Sequence, residues 1–196
     1  MNALLFAQAG SFLIRLLLDT YIYTLIARLL CQKLSVPYYN PISQLTTNVT
    51  QAFVKPLQRV LSEYRGFDFS IIILILFFEL IEVILLLGLQ LKTMPRSLAG
   101  LLVFTIGELG EKVVNFYFFS VVLEVISSWI VSLQRSPVVE IIHLIVEPIM
   151  LQARRIIPSI SGLDLSPIAV LALLQFSSIL FFKPIMMVGL HFLTIH

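Results

Sequence analysis

Glu140-x-x-His143, with Glu147 four residues further on, sets two carboxylates and an imidazole on one face of a helix. That spacing is used by carboxylate–histidine metal sites, which take further ligands from other helices. The matching stretch earlier in the chain offers only Gln44, Thr47 and Gln51, so the polar face of an amphipathic helix is the expectation and no metal or other cofactor is implied. Three acid–base arrangements remain. Arg15 and Asp19, and again Glu108 and Lys112, are four apart and can pair along one helix. Glu79 and Glu82, three apart, lack a local cation. They could line a cation path or take up protons, but neutralisation by protonation or by a base on another helix is the favoured reading. Lys55, Arg59, Arg154 and Arg155 suit anionic lipid headgroups or a partner. No serine or cysteine has a nucleophile's context and no Gly-rich phosphate loop is present, so a non-enzymatic protein is expected.

The chain that must position these groups is 196 residues long, 59% hydrophobic and only 12% charged. The charged fraction of a soluble domain is about 25%, and one of this size could not hide so much apolar surface. An all-α integral membrane protein is therefore expected. A net charge of +2 gives no footing for direct nucleic-acid binding. The lone Cys31 excludes an internal disulfide. The first apolar run carries Arg15 and Asp19 and has no basic start, so it reads as a retained helix and not as a cleaved signal.

Four stretches are long enough to cross a bilayer, which takes about 20 helical residues. They run from about Leu4 to Leu30, Phe69 to Leu91, Leu98 to Val131 and Pro167 to Leu193. The third would be roughly 50 Å long, so it must tilt, project into water or break near Gly107 and Gly110, a break that would make five segments. Gly100, Gly107 and Gly110 otherwise read as helix-packing points. Trp129 reads as an interface anchor. Between the spans lie two amphipathic segments, 40–64 and 136–158. In the first, Ile42, Leu45, Val49, Phe53, Leu57, Val60 and Tyr64 form an apolar stripe, and Pro56 is expected to split the helix. The second is more apolar and could sit deeper or pack beneath the bundle. Asn40-Pro41 and Ser136-Pro137 are matching helix starts.

Those starts belong to a repeat. A shift of 96 residues lays Asn40-Pro41 on Ser136-Pro137, Arg59 on Arg155, Gly66 on Gly162 and Asp68 on Asp164 without a gap. Two units follow, 1–94 and 95–196, each a span, an amphipathic helix and a span. Two crossings per unit give both units one orientation, with the amphipathic segments on one face. The basic residues of that face make it cytoplasmic and leave both termini outside. Gly66 and Gly162 fall in turns, and Asp68 and Asp164 can cap the helices that follow. The shift also lays Arg15 on Glu111 and Arg28 on Glu124, so ion pairs Arg15–Glu111 and Arg28–Glu124 across the repeat axis are expected. They compete with the local Arg15–Asp19 pair and with snorkelling.

The run Asn40-Pro41…Thr50-Gln51…Pro56-Leu57-Gln58-Arg59…Gly66-Phe67-Asp68-Phe69-Ser70 resembles the first repeat of the bacterial YggT family. Ser136-Pro137…Glu147-Pro148…Arg154-Arg155-Ile156-Ile157-Pro158…Gly162-Leu163-Asp164 resembles the second and keeps the pattern more fully. The first repeat departs at Ala52, Gln58 and Ser62, where the family tends to have Pro, Arg and Pro. The resemblance implies a multi-pass protein of the bacterial cytoplasmic membrane, with relatives in cyanobacteria and plastids. It implies links to osmotic tolerance, cell division or nucleoid organisation, and assembly of membrane complexes, without an agreed activity. The expected function is a membrane scaffold or assembly factor, self-associating or bound to other membrane proteins. The alternative is a small oligomeric ion or osmolyte channel or transporter, with Glu79, Glu82, Glu108, Glu111 and Glu124 along its path.

Overall fold

The computed structural model describes residues 2–61, 63–64, 66–91, 97–130, 136–157 and 164–194. The fold is helical, apart from one two-residue antiparallel pairing. Helix α1 spans Asn2–Lys33, α2 Pro41–Gln58, α3 Phe69–Leu91, α4 Leu98–Trp129, α5 Pro137–Ile156, α6 Ser166–Ser177 and α7 Lys183–Thr194. Strands β1 (Glu63–Tyr64) and β2 (Phe67–Asp68) form the small pairing between α2 and α3. Gly66 lies in their turn at φ +77°, which a side chain would resist. Gly162 lies outside the described residues.

Helix α4 runs unbroken through Gly107 and Gly110. Their role is close packing: a Cβ on Gly107 would sit 2.7 Å from Met186 Cγ. The last span is interrupted instead. A π turn at Ser178–Phe182 joins α6 to α7, just before Pro184, whose ring crowds the carbonyl four residues back and whose nitrogen cannot donate. Pro56 does not split α2, because it lies two residues from the helix end, where only a last-turn bond is lost. The amphipathic helix therefore stops at Gln58, short of residue 64.

Each half builds its own core. Ile22, Leu25, Val54, Ile71 and Leu74 join α1, α2 and α3, while Val121, Val146, Met150 and Val170 join α4, α5 and α6. A third cluster, Cys31 with Ile141 and Ile145, packs α1 against α5 and ties the halves. Among the described residues, two helical stretches, Phe69–Leu89 and Ser166–Leu193, are long and apolar enough to cross a membrane. Helices α1 and α4 have the length, with 32 residues each, but carry more charge.

The buried face of α2 consists of Ser43, Thr46, Thr50 and Val54. Leu45, Val49 and Phe53, from the apolar stripe, are 58%, 49% and 50% exposed. Leu45 and Val49 thus face away from the bundle, while the Phe53 ring meets Tyr21 and Phe78 edge-on and Ile42 and Leu57 pack against the buried clusters. Helix α5 does the opposite, burying Ile141, Ile145, Val146 and Met150.

Candidate functional site

Halfway along three helices, Lys112 of α4 gathers carboxylates from two others. Its Nζ lies 2.7 Å from Asp19 of α1, 2.8 Å from Glu79 and 2.7 Å from Glu82 of α3. Glu79 and Glu82 are fully buried, and Lys112 nearly so. Arg15 reaches Glu108 at 3.4 Å on the rim of the same network. The i, i+3 spacing of Glu79 and Glu82 turns both toward α4, so one ammonium can bridge them. Carboxylates without a cation on their own helix have found one on another.

Neither expected cross-axis pair forms. Arg15 binds Glu108, and Glu111, one turn beyond Gly107 and opposite the π turn, accepts from the Ser178 hydroxyl at 3.4 Å. Arg28 turns to the amphipathic helix of its own half, donating to Thr50 Oγ1 at 2.7 Å and to the Thr47 carbonyl at 3.3 Å. Glu124 does the equivalent, meeting His143 Nδ1 at 2.8 Å. His143 lies 96 residues after Thr47, as Glu124 does after Arg28. Positions 28 and 124 therefore fasten each long helix to its own amphipathic helix. The reason is proximity, since those helix ends abut α2 and α5 within each half.

A second repeated fastening closes the other end of each amphipathic helix. Asp68 accepts the Ser70 amide at 2.9 Å and a hydrogen bond from Gln58. Asp164 accepts the Ser166 amide at 2.9 Å and Arg154 Nε at 3.0 Å. Each aspartate starts the following helix and grips the end of the amphipathic one. Gln58 and Arg154 are themselves 96 apart, so amide and guanidinium do the same work. Slight burial pushes the Asp164 carboxyl up, but the Ser166 and Arg154 hydrogen bonds outweigh it and hold the group below the usual carboxylate range. The tie is thus complete at neutral pH and fades only as acid protonates Asp164 below that range. Arg154→Gln, which copies the first half, is expected to leave thermal unfolding near the wild-type midpoint, whereas Arg154→Ala lowers stability by about 1 kcal/mol.

At the helix starts, Asn40 Oδ1 accepts the Ile42 amide at 3.0 Å and Ser136 Oγ accepts the Val138 amide at 3.3 Å. Pro41 and Pro137 follow as first-turn residues. Asn40 also donates to the Pro137 carbonyl at 3.0 Å, joining the two amphipathic helices end to end. Lys55, Arg59 and Arg155 are exposed. Arg154 is half-exposed, held by Asp164 and, at 3.4 Å, by Glu147. Glu140, His143 and Glu147 do not converge on a metal-binding arrangement, and no group of three such ligands occurs among the described residues.

Sequence reasoning missed the Asp19–Lys112 contact, the role of Thr50 and the Asn40–Pro137 link. A usable signal did exist for the first. Asp19, Glu79, Glu82 and Lys112 all fall near the middle of their helices, which brings them to one level when those helices pack side by side.

The model of the CCB3/YggT family matches the chain twice, over residues 7–90 and 103–185. A Vibrio alginolyticus protein encoded in the proC 3′ region is 31% identical over 170 residues, covering 87% of this chain and 91% of its own length. The Escherichia coli K12 protein YggT is 30% identical over 166 residues, covering 84% of each. A Pseudomonas aeruginosa protein is 27% identical over 160 residues, covering 82% of this chain and 81% of its own. No solved structure matches the chain.

Proposed function

We propose that this chain, which belongs to the CCB3/YggT family, is a non-enzymatic scaffold of the bacterial cytoplasmic membrane. Helices α1, α3, α4 and the joined α6–α7 cross the bilayer, and α2 and α5 lie on its cytoplasmic face. Both termini are then outside. The observation that carries the reading is the apolar surface α2 leaves exposed, Leu45 and Val49 with the uncovered half of Phe53, on a helix that also exposes Lys55 and Arg59. An apolar face beside exposed cations suits a helix bedded among acyl chains with its charges at the headgroups. The cationic residues Lys55, Arg59, Arg154 and Arg155 hold anionic lipid and present a surface on which another copy or another membrane protein assembles.

A channel or transporter is the competing reading, supported by the carboxylates of the bundle. Pairing of Glu79 and Glu82 with Lys112 favours the scaffold, because those groups are engaged in holding helices together. Ion and osmolyte flux through proteoliposomes is expected to stay at the protein-free level. Saturable flux that disappears in Glu79→Gln/Glu82→Gln would establish transport instead. On the scaffold reading, Arg59→Gln/Arg155→Gln weakens retention of anionic phospholipid by about thirtyfold, at about 1 kcal/mol for each of the two cations. Native mass spectrometry of the detergent-purified protein measures that loss.

A further inference from the structure

Six ionisable side chains meet at one level of the bundle: Arg15 and Asp19 from α1, Glu79 and Glu82 from α3, and Glu108 and Lys112 from α4. Tyr23 of α1 feels the same charges. Arg15 answers Glu108, which leaves Lys112 to face three carboxylates. With every group ionised, the network carries two more negative charges than positive ones. Solvent does not relieve that excess at α3, since Glu79 and Glu82 have no exposed surface.

A second observation concerns individual atoms. Each of these glutamates meets Lys112 through Oε2, while its Oε1 is buried without a hydrogen-bond partner. An ionised oxygen buried without a donor carries the full desolvation penalty. A protonated carboxyl sheds the charge, and its hydroxyl can turn toward the neighbouring glutamate three residues away.

We infer that Glu79 and Glu82 form a proton-binding site in the middle of the bundle, with at least one of the two carboxyls carrying a bound proton at neutral pH. The proton is favoured over a metal ion because the Lys112 ammonium already occupies the point where the carboxylates converge. Asp19, whose side chain keeps 27% of its exposure, gives the site its contact with the outside. The inference rests on burial and charge within the bundle, so it stands or falls separately from the scaffold reading.

Infrared spectroscopy of the full chain in lipid nanodiscs tests it. At neutral pH a protonated-carboxyl C=O band is expected, shifting in D2O and shifting again when glutamate, but not aspartate, is 13C-labelled. The band should vanish in Glu79→Gln/Glu82→Gln and persist in Glu108→Gln. If the double variant fails to fold, the glutamate label read in Glu108→Gln decides the matter, since Glu79, Glu82 and Glu108 are the buried glutamates among the described residues. Absence of the band at neutral pH, a band insensitive to the glutamate label, or one surviving in the folded double variant would overturn the assignment. So would a band that disappears on adding sodium or potassium at constant pH, which would mark a metal-ion site. Because glutamine mimics a protonated glutamate, at least one of Glu79→Gln and Glu82→Gln is expected to unfold at the wild-type temperature.

Discussion

Lys112→Met is expected to destabilise the protein by about 3–5 kcal/mol, the cost of leaving a buried ionic group without its partner. The side chain is 7% exposed and is the shared cation of Asp19, Glu79 and Glu82. Its removal takes one contact from α1 and two from α3, so α4 loses its ammonium bridge to both neighbours and keeps the Arg15–Glu108 pair to α1. Methionine keeps the length and apolar stem, which confines the change to the charge. Loss of charge should show as a lowered unfolding midpoint in detergent and reduced accumulation in the membrane. Adding Glu79→Gln and Glu82→Gln to Lys112→Met should recover more than half of the loss, because those carboxylates no longer need a cation. A triple variant as unstable as Lys112→Met would place the cost in packing and not in charge.

Gly189→Ala is expected to cost about 1–3 kcal/mol, the range for inserting a methyl into a packed interior. A Cβ at this position would lie 2.5 Å from the Phe104 backbone nitrogen and 2.7 Å from its Cα. Backbone cannot swing aside as a side-chain tip can, so α4 and α7 must separate. Gly100 faces the same contact from α4, where a Cβ would sit 3.0 Å from the Gly189 carbonyl oxygen. Gly88→Ala is the control: nothing lies within 4 Å of its Cβ, and the change is expected to be neutral or stabilising by up to about 1 kcal/mol. Equal midpoints for Gly189→Ala and Gly88→Ala would mean that α4 and α7 are not in close contact.

Long apolar runs, paired proline starts and the 96-residue shift made the helical architecture and the family legible from residues alone. Periodicity also located α2 and α5. It could not say which face of α2 packs inward, because Ser43, Thr46 and Thr50 bury well only where a neighbouring helix comes close. Pro56 was misjudged because a proline's effect depends on how far it lies from the helix end. The repeat misled for Arg15 and Arg28: equivalent positions need not meet each other when each has a nearer partner in its own half. Repetition did hold at the level of fastenings, where Gln58–Asp68 and Arg154–Asp164 make one bond from different side chains. Lys112 lies beyond the reach of any local pattern, since its three partners are 93, 33 and 30 residues away.

On the scaffold reading, four crossings leave α2 and α5 on one face of the membrane. Single cysteines at Lys55, Arg155 and Leu98, probed with a membrane-impermeant maleimide on intact cells and on inverted vesicles, test it most directly. Native Cys31 is 4% exposed and provides an unlabelled background. Lys55→Cys and Arg155→Cys should react only in inverted vesicles, and Leu98→Cys only in intact cells. Labelling of Lys55→Cys and Arg155→Cys from opposite sides would contradict the four-crossing arrangement and the scaffold built on it.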